Sequence, residues 1–401
     1  MSNCPPQNYV LGLVAENEND ALISATAGYA KLYLSRGYRY KMINLLAPNG
    51  IPELLGLLNK KEVAFVFAMA GVGSRLSLKE EINLWEAFRI PFISLWYDPP
   101  FYNYNQHMVD SLYVLNVYHI KDHMEVRQNY LLPSRGKSVH ILPPCEIDGG
   151  TRNVPFKERN KRILFAKTAY NPEQWTEDWK RHSKPLQDVL WALAEEGTKD
   201  LNMDLCKSAQ RLFKDNQLDV HDLDLFMGAA QEVDAYIRAW RSDRFARALL
   251  AHPADIIGRG WEYLASSQNK AKLYNPIPNK IYAQEMRHYK IIGNTSPLWR
   301  DGVHERVVAG INMGAISLTD RTEKSDSAFG HLPQYVGFDW GDDLQDVIAC
   351  ALKRADEIEE VSYGEIDKAL TDGLHADQNR HITKIISLAQ EMGAPPPPSV
   401  P

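Results

Sequence analysis

Residues 63–69, VAFVFAM, are seven consecutive apolar side chains set between charged Lys60, Lys61 and Glu62 and the glycine Gly71. A run of that length with no polar alternation fits a strand covered on both faces. Runs of the same kind stand at 9–15, 41–46, 91–96, 112–117 and 139–142. Helical segments separate them: one reaches about Ser35 and is stopped by Gly37, another begins after Pro52. Strands buried on both faces call for helices on both sides of a parallel sheet. Repeated βα units of this sort predict a Rossmann-like domain.

The pattern then pauses and returns. Residues 146–161 combine Gly, charge and little periodicity, which reads as an interdomain linker. A strand opens at 162–166, and 172–241 reads as amphipathic helices. Strands follow at 255–257, ending in Gly258-Arg259-Gly260-Trp261, then at 289–292 and 315–318, with closing helices at 344–359 and about 377–392. At 401 residues the chain is long enough for two or three domains. The expected organisation is an α/β protein with two Rossmann-like domains facing across a cleft. The N-terminal domain is 1–145, the linker 146–161, and the C-terminal domain 162–376 carries the helical segment 172–241. The last piece, 377–401, is a helix and tail whose helix can pack back on the N-terminal domain. Open parallel sheets bind ligands at the carboxyl ends of their strands, so two such edges suit a two-part substrate pair.

Composition narrows the class of partner. A net charge of −6 argues against an overall basic face, and so against nucleic acid as partner. Cys4, Cys145, Cys206 and Cys350 share no C-x-x-C spacing, which argues against a zinc site or a disulfide framework. His107, His119 and His123 lie close in sequence, the last two at helical i, i+4 spacing. No Glu completes a zinc-protease pattern, so no metal site is expected. The start is polar, and no apolar run reaches the roughly 18 residues of a membrane span. A cytoplasmic protein with no membrane span is the expectation.

Chemistry concentrates at 300–306, RDGVHER, which runs on through Asn312-Met313-Gly314-Ala315 into an apolar strand and Asp320. Asp301 stands where an N-cap is expected, and Val303, Val307 and Ile311 fall on one face of a helix over 303–313. His304, Glu305 and Arg306 then occupy its first turn. Free amide groups and the helix dipole attract phosphate there. Arg306 adds a charge-assisted contact, His304 a hydrogen-bond donor, and Glu305 an acceptor for hydroxyls. The alternative from spacing alone is an ordinary capped helix with solvated charges.

The same stretch resembles the signature of GT-B glycosyltransferases of the group-1-like, CgeB-related family, G-x-H-E-R-x-x-x-x-x-x-x-G-A followed by an apolar strand and Asp. Residues 256–261 (IIGRGW) resemble that family's strand end v-x-G-x-G-W. Residues 279–282 and 289–294 resemble its y-x-e-l-x-x-x-Y-x-x-s-k-I-x-L-N passage, and 90–100 its P-x-x-x-x-x-x-D-x-P strand. The likeness is fullest over about 241–350. It implies transfer of a sugar from a nucleotide-sugar to a carbohydrate, lipid-linked or protein acceptor, with no cofactor beyond the donor and no metal. Many GT-B enzymes carry two Glu residues around this helix, the second on the donor ribose. Here the corresponding positions are Asp301 and Ala309, and Ala309 has no side-chain acceptor.

Further candidates follow from position. Lys167, Arg259 and Lys280 join Asp301, Glu305 and Arg306 as donor-binding residues. Lys167 follows the strand 162–166, and Lys280 follows a backbone held by Pro276 and Pro278. Asp98, at the end of the strand 91–96, is the candidate catalytic base for an acceptor hydroxyl, with Glu16 and Asp20 as alternatives. His304 is the second catalytic candidate. The 71–75 loop, Gly71 to Arg75, reads as acceptor-side lining. A nucleotide-sugar epimerase and a non-catalytic nucleotide-sugar-binding module are the rival functions.

Overall fold

The computed structural model describes residues 9–15, 20–78, 81–142, 152–374 and 378–397. The chain divides into two compact units, Met1–Pro144 with Ala376–Pro401, and Cys145–His375.

Unit 1 is built on six strands: β1 Tyr9–Val14, β2 Arg39–Asn44, β3 Val63–Met69, β4 Phe92–Trp96, β5 Val114–Tyr118 and β6 Lys137–His140. They form one sheet in the order β2-β1-β3-β4-β5-β6, every pair parallel. The all-apolar β3 shows why such a run is required. Phe65, Phe67 and Met69 face a core that includes Tyr29 and Tyr33 of the Asp20–Leu34 helix. Val66 and Ala68 face the opposite core, with Leu54 and Leu58 of the Gly50–Asn59 helix and with Trp85. The first core is completed by the Gln378–Glu391 helix, through Ile382, Ile385, Ile386 and Leu388. Each of these side chains gains about 1.5–3 kcal/mol on full burial, so that distant helix is an integral part of the unit.

Unit 2 has six more parallel strands: β7 Asn160–Ala166, β8 Ala254–Ile257, β9 Lys272–Tyr274, β10 Tyr289–Asn294, β11 Ile316–Asp320 and β12 Tyr335–Phe338. Their order is β12-β11-β10-β7-β8-β9. Four helices connect β7 to β8: Pro172–Trp179, Lys184–Lys199, Leu205–Asp215 and Leu223–Leu249. The 27-residue fourth helix starts at an Asp222 cap and ends against the sheet, where Phe245 meets Phe165 edge-on at 5.1 Å and stacks on Phe338 at 5.6 Å.

Two parallel sheets with flanking helices match the α/β expectation. Several details differ. The second strand is shifted to Arg39–Asn44, because its pairing with β1 starts at Arg39 opposite Tyr9. β9 and β12 carry no long apolar run: β9 is a three-residue edge strand with exposed ends, and β12 is interrupted by Gly337. His119 and His123 are not a helical pair. His119 follows β5, and the helix Lys121–Tyr130 begins only after it. Cys206 and Cys350 are free thiols, while Cys4 and Cys145 lie outside the described residues. Among the described residues, no helix is long and apolar enough to cross a membrane.

Candidate functional site

The strand order of unit 2 contains a switch. From β7 the chain moves through β8 to β9 on one side, and from β10 through β11 to β12 on the other. Connections that leave in opposite directions open a crevice at the carboxyl ends of the two central strands, where open α/β sheets bind ligands. Here those ends carry Lys167, after β7, and Asn294 with Thr295, at the end of β10.

The two ends are tied together. Lys167 Nζ donates to the Thr295 carbonyl at 2.9 Å and its hydroxyl at 2.8 Å. The Lys167 carbonyl accepts from the indole N–H of Trp261 at 2.7 Å. Gly258 sits so close to that carbonyl that a Cβ would lie 2.0 Å from its oxygen, so only glycine fits. Asp320, the last residue of β11, takes the Ser296 amide on both carboxylate oxygens, at 2.8 and 3.0 Å. Burial pushes its carboxyl up, with Arg241 opposing. Arg241, buried in the long helix, donates to the carbonyls of Ser296, Pro297 and Gly197 and so fixes the loop after β10.

Above this floor stands the Glu305–Asn312 helix. Its cap is His304, not Asp301. Thr322 donates to the Gly302 carbonyl at 2.7 Å, which ties the chain before His304 to the next loop and delays the first helical turn. Asp301 lies half-buried in that preceding segment. The His304 Nδ1 accepts from the Arg306 amide at 3.2 Å and also lies 3.0 Å from a Glu305 carboxylate oxygen. These contacts require opposite proton positions, since an amide donor needs a bare Nδ1 and a carboxylate needs Nδ1–H. The amide is fixed by the helix, whereas the Glu305 side chain is 73% exposed and can rotate into solvent. The capping bond therefore decides, and the proton is assigned to Nε2. Burial, then Arg306 and Lys167, hold the imidazole well below its usual range, so it is a neutral donor at physiological pH.

Arg306 Nη1 donates to Asn294 Oδ1 at 2.9 Å, and Asn294 in turn donates to Thr319 Oγ1 at 3.1 Å. Burial, followed by repulsion from Arg306, pulls Lys167 down to about 7. The helix packs tightly on β11. Ser317 Oγ donates to the Val307 carbonyl at 3.1 Å, and a Cβ on Gly310 would meet that hydroxyl at 2.8 Å. The strand ends and the helix start thus bring together the Arg306 guanidinium, a Lys167 amine lowered to about 7 and a neutral imidazole donor, while the Arg306, Val307 and Val308 amides are already taken by His304. Such a set of donors is chemically suited to a compact anion.

The remaining candidates are more dispersed. Arg259 is exposed on the loop after β8. Lys280 opens the Asn279–Met286 helix, and its side chain lies outside the described residues. Asp98 is exposed just after β4 in unit 1. Glu16 and the side chain of Asp20 lie outside the described residues. The 71–75 loop follows β3, with Gly71 and Gly73 at positive φ of 66° and 84°. Asn294 and Arg241 are additions to the sequence-derived set. A polar residue closing the apolar run of β10 was a signal for Asn294, but Arg241 looks like any charge on an amphipathic helix.

The carboxyl edge of unit 1 is different. His119 Nδ1 donates to the Ile141 carbonyl at 2.8 Å, and its Nε2 accepts from the Tyr29 hydroxyl at 3.1 Å. Tyr97 packs on that imidazole at 4.3 Å, and His381 at 5.5 Å. His381 Nδ1 donates to the Leu142 carbonyl at 2.8 Å. Burial lowers His119 to about 3 and His381 to about 4, so both are neutral.

No protein-family model matches the chain, and no curated protein matches it in sequence. Solved structures do match. An alpha-glucosyltransferase in complex with UDP and a 13-mer DNA containing a central A:G mismatch aligns with a TM-score of 0.53 at 10% identity, over 96% of this chain and 100% of that one. An alpha-glucosyltransferase in complex with UDP-glucose and DNA containing an abasic site gives 0.52 at 9% identity, over 95% and 99%. AviGT4, a glycosyltransferase involved in avilamycin A biosynthesis, gives 0.49 at 9% identity, over 96% and 97%. At these identities the two alpha-glucosyltransferase matches show the fold alone: a chain of two Rossmann-like units, the units of which GT-B proteins are made.

Proposed function

We propose that the protein is a glycosyltransferase that takes its sugar from a nucleotide-sugar, with a UDP-sugar as the first donor to test. The observation that carries this reading is the joining of Lys167, Arg306 and His304 at the start of the Glu305–Asn312 helix, on the switch point of unit 2. The alpha-glucosyltransferases of the same fold, in complex with UDP and UDP-glucose, support the choice of uridine nucleotide. The motif over 300–320 supports placing the chain with the group-1-like, CgeB-related enzymes.

In this mechanism the diphosphate lies at the positive end of the helix dipole, with Arg306 and Lys167 offsetting the charge that develops on the leaving group in place of a metal ion. The neutral His304, protonated on Nε2, donates to a phosphate or sugar oxygen. Lys280, Asp301, Glu305 and Arg259 are the further donor-side contacts, and Asp98 is the base for the acceptor hydroxyl. With a net charge of −6, the acceptor is drawn from carbohydrate, lipid-linked or protein hydroxyls, and DNA is the control acceptor. The test is release of nucleoside diphosphate from UDP-glucose and other nucleotide-sugars, with and without an acceptor panel. Acceptor-dependent UDP release that survives EDTA and is lost in Arg306→Ala supports the reading. Failure of every nucleotide-sugar to bind or turn over overturns it.

A further inference from the structure

Tyr282 lies on the Asn279–Met286 helix and takes no part in the site as described so far. Its ring packs against a small cluster that includes Leu164, Ile292, Met313 and Ala315, and Ala309 packs against that same cluster. Its hydroxyl is buried and has no hydrogen-bond partner among the described residues. Buried hydroxyls are normally paired, so an orphan of this kind calls for an explanation. Arg306 and Glu305 are near enough to act on it in opposite senses, while burial pushes the phenol up to about 12. The group is therefore a neutral hydroxyl beside the first turn of the Glu305–Asn312 helix, held on a ring that is already committed to packing. It offers a ligand a hydrogen bond rather than a stacking face.

We propose that Tyr282 reads the ribose of the bound nucleotide, its hydroxyl pairing with a ribose hydroxyl. The inference rests on the nucleotide-diphosphate reading above. A diphosphate seated at the helix start against Arg306 and Lys167 already has its charge partners. The next group along a nucleotide is the ribose, a neutral diol that suits a neutral phenol. Ala309, one turn of about 5.4 Å beyond Glu305, has no polar atom in its side chain, so the flank of the helix cannot supply that contact itself. Tyr282 supplies a hydroxyl from the neighbouring helix.

The test is calorimetry on the full chain with UDP, GDP and ADP and with their 2′-deoxy and 3′-deoxy forms. Three proteins are compared: the wild type, Tyr282→Phe and Arg306→Ala. Phenylalanine keeps the packed ring, so Tyr282→Phe should fold with an unchanged or higher Tm. It is expected to bind the preferred ribonucleotide about tenfold more weakly, the effect of one hydrogen bond. The difference from wild type should vanish with one of the two deoxy forms. Equal affinity of Tyr282→Phe and wild type for the ribonucleotide overturns the inference, as does an equal loss toward ribo and both deoxy forms. If Arg306→Ala loses affinity while Tyr282→Phe does not, the nucleotide reading stands and the ribose contact falls. If the wild type binds no nucleotide, both fall together.

Discussion

The two sheets are built to one plan but end differently. Each has six parallel strands and one switch of direction, between β1 and β3 in unit 1 and between β7 and β10 in unit 2. Around His119, at the carboxyl edge of unit 1, the buried polar groups are neutral: Tyr29 hydrogen-bonds His119, and His119 and His381 are tied to backbone carbonyls. At the edge of unit 2 Lys167, Arg241 and Arg306 gather around Asp320 and the loop after β10. Burial, and after it the neighbouring Arg306, lower Lys167, so its ammonium is held there at a cost. Such an edge gains from an incoming anion, whereas the edge of unit 1 is already internally satisfied at His119.

The comparison can be broken most forcefully at Arg241. Arg241→Leu leaves three carbonyls without their donor and Asp320 without its opposing charge, so it should cost about 3–5 kcal/mol in denaturant unfolding. A loss below 1 kcal/mol would show that the loop after β10 does not depend on it. Arg306 is more exposed and should matter for ligand more than for fold. Arg306→Ala is expected to weaken nucleotide-sugar binding by about 2–3 kcal/mol in calorimetry with little change in Tm. Equal affinity would remove Arg306 from the site.

Acid should act more steeply on unit 1, which holds three histidines lowered by burial, than on unit 2, where His304 is likewise lowered. His107, His119 and His381 have folded-state values below their ordinary range, at about 3, 3 and 4, so below pH 6.5 the unfolded chain binds more protons than the fold. Stability is then present above pH 6.5 and falls as pH drops from there toward 4. Each such group contributes a slope of about 1.4 kcal/mol per pH unit. His381→Phe should flatten that slope by close to one proton, and an unchanged slope would place His381 outside the titration.

The smallest effect is expected at Lys167. A bound diphosphate raises its value from about 7, so binding takes up a proton and affinity for a nucleotide-sugar falls as pH rises above 7. A decline of about five- to tenfold between pH 7 and 9 is expected, and Lys167→Arg should abolish it. A pH-independent affinity in the wild type would remove Lys167 from contact with the anion.

Much of the scaffold was legible as periodicity. β3 and β4 were readable because strands covered on both faces are apolar almost throughout, with Ser94 the one polar residue in the two, and the helix after Gly302 because its charges, its apolar face and Gly314 are local. The edge strands β9 and β12 were not readable, since short strands with an open side need no long apolar run. The cap was misplaced on Asp301 because the hold of Thr322 on the Gly302 carbonyl comes from 20 residues away. His119 and His123 looked like a helical pair because spacing alone does not reveal that β5 ends just before His119 and that the helix starts only at Lys121, between the two.

By itself the sequence determined two blocks of βα units and one charged helix start, since burial on both faces and helix capping are written in neighbouring residues. Only the tertiary structure decided which strand ends meet. The order β10-β7 brings Lys167 onto Thr295, 128 residues away, and Tyr282 onto the cluster that also packs Ala309. Strand order follows from how crossovers pack on a sheet, and no local periodicity records it.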